Sequence, residues 1–266
     1  MSTYADVYRY RELLGNLFRR DLHAKYRGSA LGVLWTVANP VMLMGVYLLV
    51  FGVIWQSPFS QQGGHYALFL LSGLVLWTFF GAAVQSSTRS MLDNANLIRK
   101  TRFPRQLVPL SVVFAHVVSF VAMLALLLVV NFVVLDRVRA TEWLAIPLAL
   151  LFLGVVCGIA LAVASLNVLF RDVEFMVSAL LVPWFFLTPI LYPLTGSPLD
   201  KHHTVVQFIH WANPLAPAVE AVRAPLFHGT MPFWGDALYL AVACVVALVA
   251  GAAVFNAVDD QIAIEV

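Results

Sequence analysis

Charge is scarce in this sequence. Only 11% of its 266 residues are Asp, Glu, Lys or Arg, 61% are apolar, and the mean hydropathy is +0.86. A soluble domain carries about 25% charged and about 45–50% apolar residues, so a water-soluble globular fold is excluded and an all-α protein crossing the bilayer several times is expected. Cysteine is scarcer still. Cys157 and Cys244 are the only two, each inside an apolar run, which implies no disulfide and reads as small buried apolar residues. The seven histidines are scattered, and no His/Cys/Asp/Glu cluster has metal-ligand spacing. No GxxxxGK(S/T) phosphate loop is present, and none of Lys25, Lys100 or Lys201 follows a glycine. The chain therefore has no such cradle for ATP, and neither a cofactor nor a catalytic constellation is expected in it. The first thirty residues lack a continuous apolar stretch, so a cleaved signal peptide is not expected either. A net charge of +2 gives no reason to expect nucleic acid.

What the chain has in abundance is long apolar runs. A hydrocarbon core about 30 Å thick needs roughly 20 apolar residues per helix. Six stretches are read as spans: about Ala30–Trp55, Tyr66–Val84, Leu107–Leu135, Trp143–Phe170, Phe175–Tyr192 and Phe233–Val258. Asn39-Pro40 should kink the first, and Pro183 and Pro189 should bend the fifth. Ahead of them, residues 1–29 hold a different pattern. Val7, Leu13, Leu14, Leu17, Phe18 and Leu22 recur at helical spacing with Arg9, Arg11, Arg19, Arg20 and Lys25 between them, the pattern of a basic amphipathic helix lying in the membrane surface. Residues 30–258 read as one membrane domain and 259–266 as an acidic tail. Between the last two spans, residues 203–228 are too apolar for a free linker, and Asn213-Pro214 reads as a helix start. Two short re-entrant helices dipping into one membrane face are expected there, with a single interfacial helix as the alternative for the first half.

The few cations are unevenly placed. Six lie before span one, five between Arg89 and Arg105, and one at Arg171; only Arg137, Arg139, Lys201 and Arg223 fall in the opposite connectors. Lys and Arg accumulate in cytoplasmic loops, so both termini and the 94–105 connector are expected in the cytoplasm. That connector, NANLIRKTRFPR, carries Arg99, Lys100, Arg102 and Arg105. Topology alone accounts for cations there. A second reading is a two-to-three-turn helix over about 93–105, capped by Asp93 or Asn94, edged by Leu97 and Ile98 and stopped by Pro104, which plugs a partner's groove.

Four stretches in series, YRGSALGVLWTVANPVMLMGVYLLVFGVIW, NLIRKTRFPRQLVPL, LNVLFRDVEFMVSALLVPWFFLTPILYP and NPLAPAVEAVRAPLF, resemble the membrane subunit of ABC-2 type exporters of lipid-linked polysaccharide such as O-antigen, capsule or teichoic acid. The likeness runs from about Tyr8 to Val258. It implies a homodimer in the bacterial plasma membrane, carrying two copies of a separate ABC ATPase that holds the ATP and magnesium. It also implies that Asn96, Leu97, Ile98, Arg99, Lys100, Arg102, Phe103 and Arg105 form a coupling helix seated on that ATPase, with Arg171-Asp172 as a second contact.

Two further sets of residues suit such a cargo. Tyr26 and Arg27, with Arg19 and Arg20, stand where the interface helix turns into span one. Arginine forks match the oxygens of a carrier pyrophosphate, although pairing with ordinary lipid phosphate is an equal reading. Tyr47, Phe51 and Trp55 share a face of span one, and Trp184, Phe185 and Tyr192 crowd span five. Aromatic faces stack on the C–H faces of sugar rings, which suits a glycan channel. Aromatics also belong to membrane-interface belts, the reading taken for Trp77. His116, inside span three, is expected to be neutral and bonded to a backbone carbonyl. Two alternatives keep or change the class: a permease of the same fold moving a drug or small amphiphile, and a membrane enzyme of lipid-linked sugar metabolism. The ten residues between spans one and two favour the glycan branch, and Asp172 and Glu174 are the only close cytoplasmic acidic pair within a connector that an enzyme could use.

Overall fold

The computed structural model describes residues 9–26, 28, 32, 34–47, 49–50, 54, 66–101, 103–135, 140–194 and 203–265. Among these there is no strand. The helices are α1 (Arg11–Tyr26), α2 (Leu34–Tyr47), α3 (Tyr66–Asp93), α4 (Ala95–Lys100), α5 (Leu107–Leu135), α6 (Ala145–Leu169), α7 (Asp172–Leu187), α8 (His203–Ala212), α9 (Leu215–Arg223) and α10 (Trp234–Glu265). Four helical stretches, Tyr66–Asp93, Leu107–Phe132, Glu142–Leu169 and Trp234–Asp259, are long and apolar enough to cross a membrane. Of expected span one the structure describes the helix α2, with 14 residues; Phe51 and Trp55 lie outside the described residues.

Helix α3 is the centre of the bundle and packs against α5, α6, α7 and α9. Its apolar residues are buried on most sides, as a core helix requires. Phe79 stacks on Phe120 of α5 with ring centroids 4.5 Å apart and lies 6.2 Å from Phe152 of α6. The helix also runs nine residues past Val84, where the sequence suggested that the span ends. The reason is that its Ser/Thr hydroxyls are satisfied locally: Thr88 donates to the Val84 carbonyl at 2.8 Å and Ser90 to that of Ser87 at 2.6 Å. Such back-bonding lets a polar run stay helical and buried.

Helices α6 and α10 make the closest seam. Gly154 and Gly158 on α6 face Cys244, Ala247 and Gly251 on α10, and a Cβ at Gly158 or Gly251 would overlap the opposing backbone. Small residues four apart on both helices let the backbones approach closely, which is how membrane helices gain packing energy without a hydrophobic driving force. Both cysteines are buried here as free thiols.

Span five is shorter than its apolar run. Pro183 is accommodated inside α7, but Thr188 turns extended (φ −90°, ψ 135°) ahead of Pro189 and ends the helix at Leu187. Tyr192 therefore lies beyond the helix. Residues 203–228 form the two expected short helices, α8 and α9, followed by a wide turn over Ala224–His228 that closes on Gly229 at φ 68°. Asn213 Oδ1 accepts from the Leu215 N–H at 3.0 Å and starts α9. Helix α9 is buried along nearly its whole length, so it is a core element rather than a surface one.

Polar contacts sort the bundle into two ends. At one end Arg105 pairs with Asp259 near the end of α10, Arg89 with Glu174 at the start of α7, and Asp21 of α1 with Ser111 of α5. At the other, Tyr66 donates to the Leu191 carbonyl at 2.8 Å and Asn131 to the Leu226 carbonyl at 2.5 Å. The basic connector and α1 thus share one end, and α8–α9 belong to the other.

Candidate functional site

The connector between α3 and α5 begins where Asn94 turns the chain. Its side chain does not cap α4 as the sequence suggested: Nδ2 donates back to the Ser90 carbonyl at 2.8 Å, and Asp93 pairs with Arg89 instead, at 3.1 Å. Helix α4 is six residues long, under two turns. It ends before Pro104 is reached, because Thr101 turns extended while its N–H and hydroxyl both donate to the Leu97 carbonyl.

The faces of this short helix differ. Ile98 is buried in the bundle core and Phe103 packs against it, while Leu97 is half-buried. Asn96, Arg99 and Lys100 are exposed. Arg102 lies outside the described residues. Arg105 is engaged within the chain, donating from Nη1 to the Asp259 carboxylate at 2.9 Å and to its backbone carbonyl at 2.6 Å. Arg171 and Asp172 are exposed at the α6–α7 turn, and Glu174, 3.3 Å from Arg89, brings that turn to the connector's end of the bundle. Helix α4 thus has an apolar side anchored in the bundle core and a polar side facing outward, and Arg105 links the end of the connector to α10.

The description ABC-2 type transporter matches residues 12–227. The chain belongs to the ABC-2 type transporter family. It is 33% identical, over 97% of its length and 96% of the relative's, to the O-antigen export system permease protein RfbA of Myxococcus xanthus. Identity to the Klebsiella pneumoniae protein of the same description is 31%, covering 92% of this chain and 91% of that one. The polysialic acid transport protein KpsM of Escherichia coli is 24% identical, with 92% of each chain covered.

In this ABC-2 chain α1 is docked rather than free. Leu17 is buried, Asp21 Oδ2 accepts from Ser111 at 2.6 Å, and Lys25 Nζ donates to Ser119 at 2.9 Å. Desolvation against α5 lowers the Lys25 pKa. Arg19 and Arg20 are on the exposed side of α1, and Arg20 pairs with the neighbouring Asp21 at 2.8 Å. Arg27 and the Tyr26 side chain lie outside the described residues, so the four candidate headgroup residues are not seen together.

The aromatic candidates are partly gathered. Phe185 stacks on Tyr47 (5.8 Å between centroids) and meets Trp77 edge-on at 5.5 Å, while Trp184 meets Phe80 at 5.2 Å and donates to Asn213 Oδ1 at 2.8 Å. Tyr47, Trp184 and Phe185 therefore form one cluster across α2, α3 and α7. Tyr192 packs against the same apolar cluster as Phe185 and Tyr47, and donates to the Phe186 carbonyl at 3.0 Å. Trp77 belongs to the cluster and lies eleven residues into α3, about 16 Å along it. His116 is as expected, with Nδ1 donating to the Val112 carbonyl at 2.9 Å.

The role of one residue was missed from sequence. Arg223, counted among the opposite-side cations, is fully buried on α9. Its guanidinium lies 3.7 Å over the Phe69 ring, Nη1 donates to Glu220 at 2.9 Å, and Nε donates to Ser72 at 3.2 Å. Gly73 leaves room for it, since a Cβ there would stand 2.9 Å from Nη2. This cation locks α9 to α3. The signals were the Glu220–Arg223 spacing on an otherwise apolar amphipathic helix and the aromatic-serine-glycine set of α3, which lies some 150 residues away.

Proposed function

We propose that this chain is the membrane subunit of an exporter that moves lipid-linked polysaccharide across the bacterial plasma membrane, driven by ATP hydrolysis on a separate subunit. The observation that carries the reading is α4: apolar side anchored in the bundle, polar side outward, in a family of ATP-driven transporters and in a chain without a phosphate loop. In this reading the chain spans the membrane six times with both termini cytoplasmic, pairs with a second copy, and carries two ATPase subunits that hold ATP and magnesium. Family membership supports the stoichiometry. The basic residues at one end support the orientation.

Asn96, Arg99 and Lys100 contact the ATPase, with Arg171 and Asp172 as the second contact, and a power stroke delivered there tilts α3, α5 and α10. Arg19, Arg20 and Arg27, beside Tyr26, guide the carrier pyrophosphate, and the Tyr47–Phe185 cluster lies on the glycan's route. The curated relatives, named for O-antigen and polysialic acid, support a glycan cargo over a drug.

Co-purification tests the coupling. Replacing Asn96 with tryptophan and Lys100 with glutamate changes only exposed side chains. The paired variant is expected to keep its elution profile and thermal midpoint, yet to lose at least 90% of co-purifying ATPase. Retention of the ATPase at the wild-type ratio contradicts the role. Ile98→Asp cannot serve, because it places a carboxylate in the core and the fold fails first.

A further inference from the structure

Away from the connector, at the end of the bundle where α8 and α9 lie, is a cavity of ≈ 520 Å³ walled by α3, α8, α9 and the start of α10. That volume is within the range of about 300–1,000 Å³ typical of small-ligand sites. Its chemistry is specific. Tyr66, Phe69, Trp211, Phe227 and Phe233 supply aromatic faces or edges, and Glu220, Asp236, His210 and Gln207 supply polar atoms. Trp211 and Phe233 are exposed, 44% and 56%, although both lie beside buried groups.

Both carboxylates already have a partner. Glu220 Oε1 takes the Arg223 bond at 2.9 Å, and Asp236 Oδ1 takes the His210 bond at 2.7 Å. Each keeps a second oxygen that no described residue engages. A cavity that needed a cation would leave these acids unpaired, and a purely apolar ligand would strand their free oxygens without hydrogen bonds. What fits is a neutral ligand with one flat apolar side and hydroxyl donors along its edge. We propose that this cavity is a saccharide subsite: a pyranose ring stacks on Trp211 or Phe233 while its hydroxyls donate to Glu220 and Asp236.

The subsite deepens the export reading and rests on it for the source of the sugar. In that reading it holds one residue of the outgoing glycan against α8 and α9. Arg223 and His210 are positioning residues, each fixing the carboxylate it pairs with, and the two pairs link the site to α3 and α10.

The test is direct binding. The chain, assembled with its ATPase in phosphatidylethanolamine/phosphatidylglycerol nanodiscs free of sugar detergents, is titrated with glucose, galactose, mannose, rhamnose and N-acetylglucosamine by saturation-transfer NMR. Saturable binding of at least one sugar is expected, weakened at least tenfold in Trp211→Ala and in Gln207→Ala, and unchanged in Val246→Leu, on the exposed side of α10 and outside the cavity. A second measurement, native mass spectrometry, asks whether the cavity carries a phospholipid. A lipid lost on Trp211→Ala, no saturable sugar binding, or sugar binding that survives both cavity variants would each overturn the subsite. Export of polysaccharide in cells separates this from the export reading: normal export by a wild type that binds no sugar removes the subsite alone. A wild type that binds sugar but exports no polysaccharide removes only the export reading.

Discussion

Leucine in place of Gly158 is expected to prevent the α6–α10 seam from closing. A Cβ at this position meets the Ala247 backbone carbonyl, and Gly251 meets Gly158 in return. Overpacking that side chains absorb costs about 1–3 kcal/mol. Here the obstruction is backbone on both sides, so the helices have to separate along the seam and the cost exceeds that range. Very little monodisperse protein should be recovered, as read by fluorescence-detected size exclusion. Val246→Leu, on the exposed side of α10, should elute as wild type. A Gly158→Leu protein with an unchanged elution profile and thermal midpoint would show that the seam is not as close as described.

The Arg223→Met variant should be nearly as damaging, for a different reason. Removing one partner of a buried pair costs about 3–5 kcal/mol, because the remaining charge is left without compensation. Glu220 keeps 23% side-chain exposure, so the lower part of that range applies. A marked fall in thermal midpoint is expected. Arg223→Lys should fall between, since an ammonium keeps the charge but loses the flat stacking on Phe69 and the Nε bond to Ser72. Adding Glu220→Gln to Arg223→Met should restore part of the loss, because the orphaned charge is removed. Absence of any rescue would mean that packing against Phe69, and not the ion pair, dominates.

The outline of the bundle was legible because lipid imposes it. Tyr66, Leu107, Trp143 and Phe233 open runs that no other solvent would tolerate, and the helices described there begin within a few residues of those positions. The amphipathic spacing of α1 and the Asn213-Pro214 start of α9 were equally readable, since each is a local signal. Helix ends were less so. The end of α3 depends on whether Ser and Thr hydroxyls find carbonyls in their own helix, and that of α7 on whether Pro183 or Pro189 stops it. Composition answers neither.

The candidate site divides the same way. Ile98 and Lys100 were rightly grouped in one short helix, but which side of it turns inward depends on the bundle that α4 rests against. Arg105 was grouped with the coupling residues on the strength of the family resemblance. Its partner, Asp259, lies 154 residues away at the end of α10. The burial of Arg223 was hidden for the same reason. Burying a guanidinium requires Glu220, Ser72, Phe69 and the bare backbone of Gly73 together, a coincidence that no local window contains.

The account depends on the outer side of α4 meeting an ATPase inside the cell. Cysteine at Asn96, exposed on that side, allows one measurement: cross-linking in native membranes with a short bifunctional maleimide, alongside labelling of intact cells with an impermeant maleimide. The predicted result is a covalent product between this chain and the ATPase subunit, together with no labelling from outside. Labelling of Asn96→Cys in intact cells, with no cross-link to the ATPase after lysis, would contradict it.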